Sequence, residues 1–299
     1  MPKTRTQFPT ISLAGPLIML ASALLFTVHN GFIKIISSSF SAWDIAFYRF
    51  GCGLVILIAI FGWRGNPFKG HDPGLLIIRG ITGTIAFLSL ITAIRHIPLS
   101  KALVLFYAFP AFAAFFSQQL FGEKISRTEI LFIPVALGGV MVIFDYEFGG
   151  AMFGQIMALS AGIFAGLTVS IIRKLRASNG SVIIYLYFCM LGTLITLPSY
   201  IADPRIPTTA IEWLCVGGIV STSLVAQLLM THGFQYCKSW EGGLYLMTEV
   251  IFTSLLGIIF FIEILDWRFW AGGLLIFGSA VGLNQIRARS DKSNAIPSR

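Results

Sequence analysis

An acidic side chain in the middle of an apolar run is the costliest placement in this sequence, and Glu249 has it. At the centre of a membrane-length helix a carboxylate costs about 3 kcal/mol, so it faces a cavity or a partner. There it serves as a ligand for a substrate amine, as a proton-coupling group, or as a structural acid paired with a neighbouring His or Tyr. His29, Asn30 and Lys34 sit together in another apolar run. His29 and Asn30 suit hydrogen bonding to a solute, and His29 also suits proton shuttling. Lys34, four residues on, shares a helix face with Asn30 and either meets a ligand or snorkels to the outer interface. Ser223, Gln227, Thr231 and Gln235 recur every four residues in a helix otherwise apolar. Such a stripe cannot face lipid, so it glues helices together or walls a cavity. Tyr107 and Tyr245 add aromatic walls and hydroxyl donors. The candidate binding set is therefore Glu249, Gln227, Tyr107, Tyr245, His29, Asn30 and Ser223. Arg49 either pairs with an acid or meets a carboxylate, and Arg79 reads as an inner-surface anchor. Gln118 and Gln119 cap a helix or line an inner gate, while Glu123 and Glu263 stand at helix ends and read as structural.

These residues need a frame, and composition says which. Of 299 residues 56% are hydrophobic and 11% are charged, with 27 Phe and 30 Gly. An average soluble domain carries about 25% charged residues. Fewer than half as many cannot cover a water-soluble globule of this length, which excludes a soluble enzyme, a disordered chain and a fibre. A helix needs about 20 mostly apolar residues to cross the hydrocarbon core. By that ruler ten runs qualify, at 11–35, 43–62, 74–94, 100–121, 128–144, 150–172, 182–200, 210–234, 242–262 and 267–286. Each is expected to be an unbroken helix, because backbone in lipid must satisfy its own hydrogen bonds.

Lys and Arg on alternate sides of these runs divide fifteen against six, with Arg79 in the larger group and Lys34 and Arg49 in the smaller. The positive-inside rule then puts both termini in the cytoplasm. The net charge of +8 is spread over short connecting segments, which argues against nucleic acid as a partner. The four cysteines lie in or beside apolar runs without CxxC spacing and read as packing residues, with no metal site. The first ten residues are polar and no small-residue cleavage pattern follows the first run, so no cleavable signal is expected.

Shifting the chain on itself by 140 residues aligns Thr82 with Thr222, Ala86 with Ala226, Phe112 with Phe252, Glu123 with Glu263 and Gly138 with Gly278. Each half then holds five helices. Because five is odd, the second copy lies upside down relative to the first, an arrangement that puts a substrate site near mid-depth.

The segments Phe47-Tyr48-Arg49-Phe50, Ile78-Arg79-Gly80 and Ala93 through Ala102 resemble the EamA-like branch of the drug/metabolite transporter superfamily. So does Pro110-Ala111-Phe112 through Gly122-Glu123-Lys124-Ile125, the strongest element. In the second half Val250 replaces the usual proline and Ile262 the usual glycine. The resemblance covers nearly the whole chain. It implies an all-α membrane protein of ten transmembrane helices in two inverted five-helix repeats, residues 1–147 and 148–289, followed by a tail at 290–299. It implies a central cavity lined by helices one, three, four, six, eight and nine, and no bound cofactor. The expected function is secondary transport of a small polar organic metabolite, an amino acid or related zwitterion or cation, across a bacterial inner membrane. S-adenosylmethionine-like and nucleoside- or vitamin-like solutes are the alternatives. The expected partners are this solute and the lipid bilayer. One chain can close a pathway alone, so a monomer suffices, with a dimer as the alternative. A membrane enzyme is the rival class, but no Gly-x-Ser or His-Glu-x-x-His occurs.

Overall fold

A computed structural model of the chain describes residues 14–62, 68–121, 131–143, 150–233, 236 and 239–294. Among these residues all regular structure is helical. In chain order the helices are α1 (Ala14–Ile36), α2 (Ala42–Phe61), α3 (Pro73–His96), α4 (Leu99–Phe106), α5 (Phe109–Phe121) and α6 (Phe132–Ile143). They continue as α7 (Gly150–Leu175), α8 (Ser181–Ala202), α9 (Ala210–Gly233), α10 (Ser239–Phe261) and α11 (Trp267–Asn294). Among the described residues seven segments are long and apolar enough to cross a membrane: α1, α2, α3, the α4–α5 stretch Leu99–Leu120, α7, α8 and α9. Within α10, Tyr245–Phe261 is a shorter apolar helix. The expected runs and the observed helices differ at their ends by up to eight residues, the last helix running to Asn294 where 286 was expected. The ten expected spans compare with seven that meet this length and apolarity among the described residues. Glu123, Gln235 and Cys237 lie outside the described residues.

The starts of these helices are written locally. Ser41 and Asp44 form a reciprocal capping box on α2: the Asp44 amide donates to Ser41 Oγ at 3.2 Å, and the Ser41 amide donates to Asp44 Oδ2 at 2.9 Å. Thr209 and Glu212 repeat the device on α9, at 3.2 and 3.1 Å.

One expectation fails at the fourth run, which is broken rather than continuous. Pro110 has no N–H to donate to the carbonyl of Phe106, and its ring crowds that carbonyl. α4 accordingly stops at Phe106, and α5 starts again at Phe109. The gap is bridged by short-range bonds, from the Ala108 amide to Leu105 O (3.2 Å) and from the Ala111 amide to Ala108 O (3.1 Å). The break is covered by α7. A Cβ on Gly162 would meet Phe106 O at 2.9 Å, and one on Gly166 would meet Phe109 O at 2.8 Å. Two glycines one turn apart thus let the backbone of α7 close over the interrupted segment.

The corner between α3 and α4, at Ile97-Pro98, is held by two charges from elsewhere. Lys34 Nζ donates to Ile94 O (2.8 Å) and Ile97 O (3.0 Å), at the negative end of α3. Glu263 accepts from the amides of Leu99 (2.5 Å) and Ser100 (3.1 Å), at the positive end of α4. Lys34 therefore caps the end of a helix. Arg95 donates to the backbone oxygen of Phe40 nearby.

The main helix pairings come in matched couples: α1 on α9 and α7 on α3; α1 on α10 and α7 on α4 and α5; α2 on α9 and α8 on α3. The pairs α2·α8 and α6·α11 complete the pattern. Exchanging α1 with α7, α2 with α8, α3 with α9, α4–α5 with α10, and α6 with α11 returns the same pairings. What this arrangement leaves at the centre is the junction of both halves.

Candidate functional site

A cavity of about 130 Å³ lies at that junction. One water needs roughly 10–15 Å³ by the same measure, so the space admits several waters or a small solute. Its walls come from α1 (Phe26, His29, Asn30), α3 (Arg79, Gly83, Phe87, Leu90), the α4–α5 break (Phe106, Tyr107, Phe109), α7 (Thr168, Val169), α9 (Gln227, Met230) and α10 (Leu246, Glu249). These are the six helices that the resemblance implies, in span order. Two more side chains enter from α2 and α8, Arg49 and Phe188.

The broken span brings Tyr107 here. As the residue that ends α4, it turns its hydroxyl to Glu249 Oε2 (2.6 Å) and to Leu246 O (2.8 Å). The other carboxyl oxygen of Glu249 accepts from Asn30 Nδ2 at 2.8 Å. One carboxyl group thus ties α10 to α1 and to the α4–α5 break, while 4% exposed. A hydroxyl has a single proton, and Leu246 O only accepts. Tyr107 therefore serves both oxygens only when the proton between it and Glu249 belongs to the carboxyl.

His29 is fixed by the same kind of accounting. Its Nδ1 lies 3.2 Å from Ile219 O, a pure acceptor, so Nδ1 carries the hydrogen. Its ring stacks on Phe87 at 5.8 Å. Nε2 is left buried with no partner among the described residues.

Arg49 and Arg79 are the largest fully buried side chains among the described residues, each 2% exposed. The Arg49 guanidinium lies 3.8 Å from the centre of the Phe87 ring and 5.3 Å from that of Phe188. Arg79 lies 3.9 Å from the centre of the Phe188 ring. Gly83, one turn on from Arg79, makes the room: a Cβ there would sit 2.6 Å from Arg79 Nη1 and 2.9 Å from the Phe188 ring. Arg79 is therefore no surface anchor. It points into the protein, and its removal together with Arg49 subtracts one cation from each side of the loop-charge count.

Buried polar atoms without partners cost free energy and concentrate where something is meant to fill the space. Of nine such side-chain atoms among the described residues, six belong to four cavity residues: His29 Nε2, Arg49 Nε and Nη1, Arg79 Nε and Nη1, and Gln227 Oε1.

The structure brings Glu249, Gln227, Tyr107, His29 and Asn30 together around this cavity. It does not bring Ser223 or Tyr245 there. Ser223 is fully buried and closes its hydroxyl on Val220 O of its own helix at 3.1 Å. Tyr245 is half-buried and packs against the apolar core. The reason is rotation. Residues four apart on an α-helix drift by about 40° per step, so a stripe of period four leaves one face within a few turns. Thr231, like Ser223, falls among packed neighbours, 1% exposed. Only Gln227 of the described part of that stripe reaches the cavity. Gln118 and Gln119 are exposed near the end of α5. Sequence reasoning missed Arg79, Phe87 and Phe188. For Arg79 the available signal was its depth, the seventh residue of α3. Among the described residues no group of three metal-ligating side chains forms.

Known proteins share this architecture. A pseudopaline exporter, CntI, of Pseudomonas aeruginosa is 26% identical over 275 residues, covering 92% of this chain and 97% of its own. The human solute carrier family 35 member G1 is 25% identical over 298 residues, covering 94% of this chain and 81% of its own. A solved crystal structure with 17% identity superposes with a TM-score of 0.67, covering 93% of this chain and 99% of its own, which shows a common fold. The profile of the EamA-like transporter family matches twice, at residues 13–145 and 152–285. With most of its length matched, the chain belongs to the EamA-like transporter family and is a multi-pass membrane protein.

Proposed function

We propose that this transporter carries a small polar organic metabolite, an amino acid or related zwitterion or cation, by alternating access. The carrying observation is the cavity, with its unpartnered polar groups, at the junction of two sets of helices. The matched pairings and the doubled family match support ten spans in two inverted five-helix repeats, 1–147 and 148–289. Rocking of one half against the other then opens the cavity first to one side and then to the other. The α4–α5 break supports the same reading, because interrupted helices inside membranes are tolerated where they line a site.

Glu249, Gln227, Tyr107, His29 and Asn30 form the binding wall. Glu249 either meets the solute amine or passes a proton when Tyr107 and Asn30 release it. The charge bias of the connecting segments supports cytoplasmic termini in a bacterial inner membrane. A relative that exports pseudopaline makes export the direction to test first. Nothing in the cavity calls for covalent chemistry, and no enzyme activity is proposed.

Purified protein in liposomes tests this directly. Counterflow of an unmodified amino acid is expected. Covalent change of the solute, or no flux with any of the common amino acids or nucleosides, would overturn the proposal.

A further inference from the structure

We infer that Arg49 and Arg79 form an anion subsite in the central cavity and hold the carboxylate of the transported solute. This rests on the transport reading above and sharpens its substrate class.

Two positive side chains from α2 and α3 converge on one aromatic ring from α8, Phe188. Neither makes an ion pair or a hydrogen bond with any described residue, although each is almost completely buried. Buried charges in proteins are ordinarily paired. The acid that shares this cavity, Glu249, already has both oxygens engaged by Asn30 and Tyr107. Water entering the cavity solvates a guanidinium without neutralising it. The missing partner is an anion.

Geometry says what kind. Phe87 and Phe188 hold the two guanidinium groups through cation–π contacts, which use no hydrogen-bond donor. The N–H groups so left over match the fork of a carboxylate. On both residues Nε and Nη1 are buried and unpartnered; they lie on different edges of the guanidinium, so each of its two edges shared with Nη2 keeps one unpartnered N–H. Gly83 keeps the slot for Arg79 clear. The remaining unpartnered atoms of the cavity, His29 Nε2 and Gln227 Oε1, accept hydrogen bonds. An anion for the arginines and an N–H group for His29 and Gln227 are together the two ends of an amino acid.

The test uses the full-length protein in detergent and its thermal unfolding with matched probes. These are L-alanine, L-leucine and L-phenylalanine, each against its C-terminal amide, with succinate and sodium phosphate alongside. At least one free acid is expected to raise the unfolding temperature by about 3 °C or more, while its amide does not. Arg49→Gln and Arg79→Gln are expected to abolish that shift, and Arg49→Lys and Arg79→Lys to retain part of it. Without ligand, both Gln variants are expected to unfold at or above the wild-type temperature, since an unpaired buried charge has been removed. A merely structural role predicts the opposite.

Equal responses to acid and amide, a shift that survives in both Gln variants, a shift with phosphate alone, or no shift with any probe overturns the proposal. So does a fall in the ligand-free unfolding temperature in both Gln variants. Counterflow in liposomes separates the two readings. Acid binding without flux leaves the subsite and removes the transporter mechanism, whereas equal flux of acids and amides removes the subsite and leaves the transporter.

Discussion

Lys34 and Glu263, at the corner between α3 and α4, direct their charges onto helix ends and are hydrogen-bonded to backbone. Arg49 and Arg79, in the cavity wall, direct theirs at nothing the described chain supplies. All four are ionisable residues in apolar surroundings, and sequence spacing treats them alike. The difference separates charges that build the fold from charges that await a ligand. Glu249 stands between these cases, fully hydrogen-bonded yet facing the cavity. If the comparison holds, removing a corner charge lowers stability, removing a wall charge spares it, and altering Glu249 acts on transport.

Glu249→Gln is expected to have the largest effect. A glutamine reproduces the protonated carboxyl, accepting from Asn30 and donating to Tyr107, but it can neither release a proton nor carry the charge that meets a solute amine. Flux in liposomes should fall by about tenfold or more, an energetic change of about 1.4 kcal/mol at least. Membrane insertion and the elution profile in detergent should stay normal. Wild-type flux in this variant would take Glu249 out of the mechanism and leave it a helix clamp.

Glu263→Ala probes the other side of the comparison. It removes two charge-assisted bonds to the amides that begin α4, in a partly exposed setting. A loss of about 2 kcal/mol is expected, read as a fall in unfolding temperature. Gly257, where a Cβ would sit 2.5 Å from Glu263 Oε2, keeps this carboxyl in place. An unchanged unfolding temperature for Glu263→Ala would erase the distinction between corner and wall.

Gly83→Ala sharpens the comparison at the wall. The added methyl would sit 2.6 Å from Arg79 Nη1 and 2.9 Å from the buried Phe188 ring, so both must shift, at a stability cost of about 1–3 kcal/mol. The response to free acids should also shrink, because Arg79 no longer keeps its place on Phe188. A full acid response in Gly83→Ala would mean that Arg79 does not need this slot.

Much of the frame was legible because membrane length and apolarity are local properties. The expected runs lie close to helices for that reason, and Glu249 declared itself through the cost of its position alone. Pro110 was visible too, but the break it causes depends on whether neighbouring backbone can cover the freed groups. Here the cover is Gly162 and Gly166, some fifty residues away in sequence. Arg79 was misread for a related reason. A snorkelling anchor and a cavity arginine look the same in sequence, and only Phe188 from the other half of the chain decides between them. Ser223 and Gln227 looked equivalent because period four resembles the helix repeat over one turn but departs from it over several.

Ile262 is a case where sequence and structure meet, and it gives the smallest effect. The resemblance places a glycine there, and the structure holds Ile262 at φ 53°, in the left-handed region that a β-branched residue avoids. From that turn the Glu263 amide reaches back to Gly257 O at 3.0 Å, which starts Glu263 toward the corner it caps. The left-handed conformation costs an L-residue about 1–2 kcal/mol, and a glycine returns up to about 1 kcal/mol of that as added chain freedom when unfolded. The Ile262 side chain is 83% exposed, so its loss removes little packing within the protein. Ile262→Gly should therefore stabilise the fold by about 0.5 kcal/mol without changing flux. A destabilised variant would mean that the Ile262 side chain anchors the corner more than its backbone strains it.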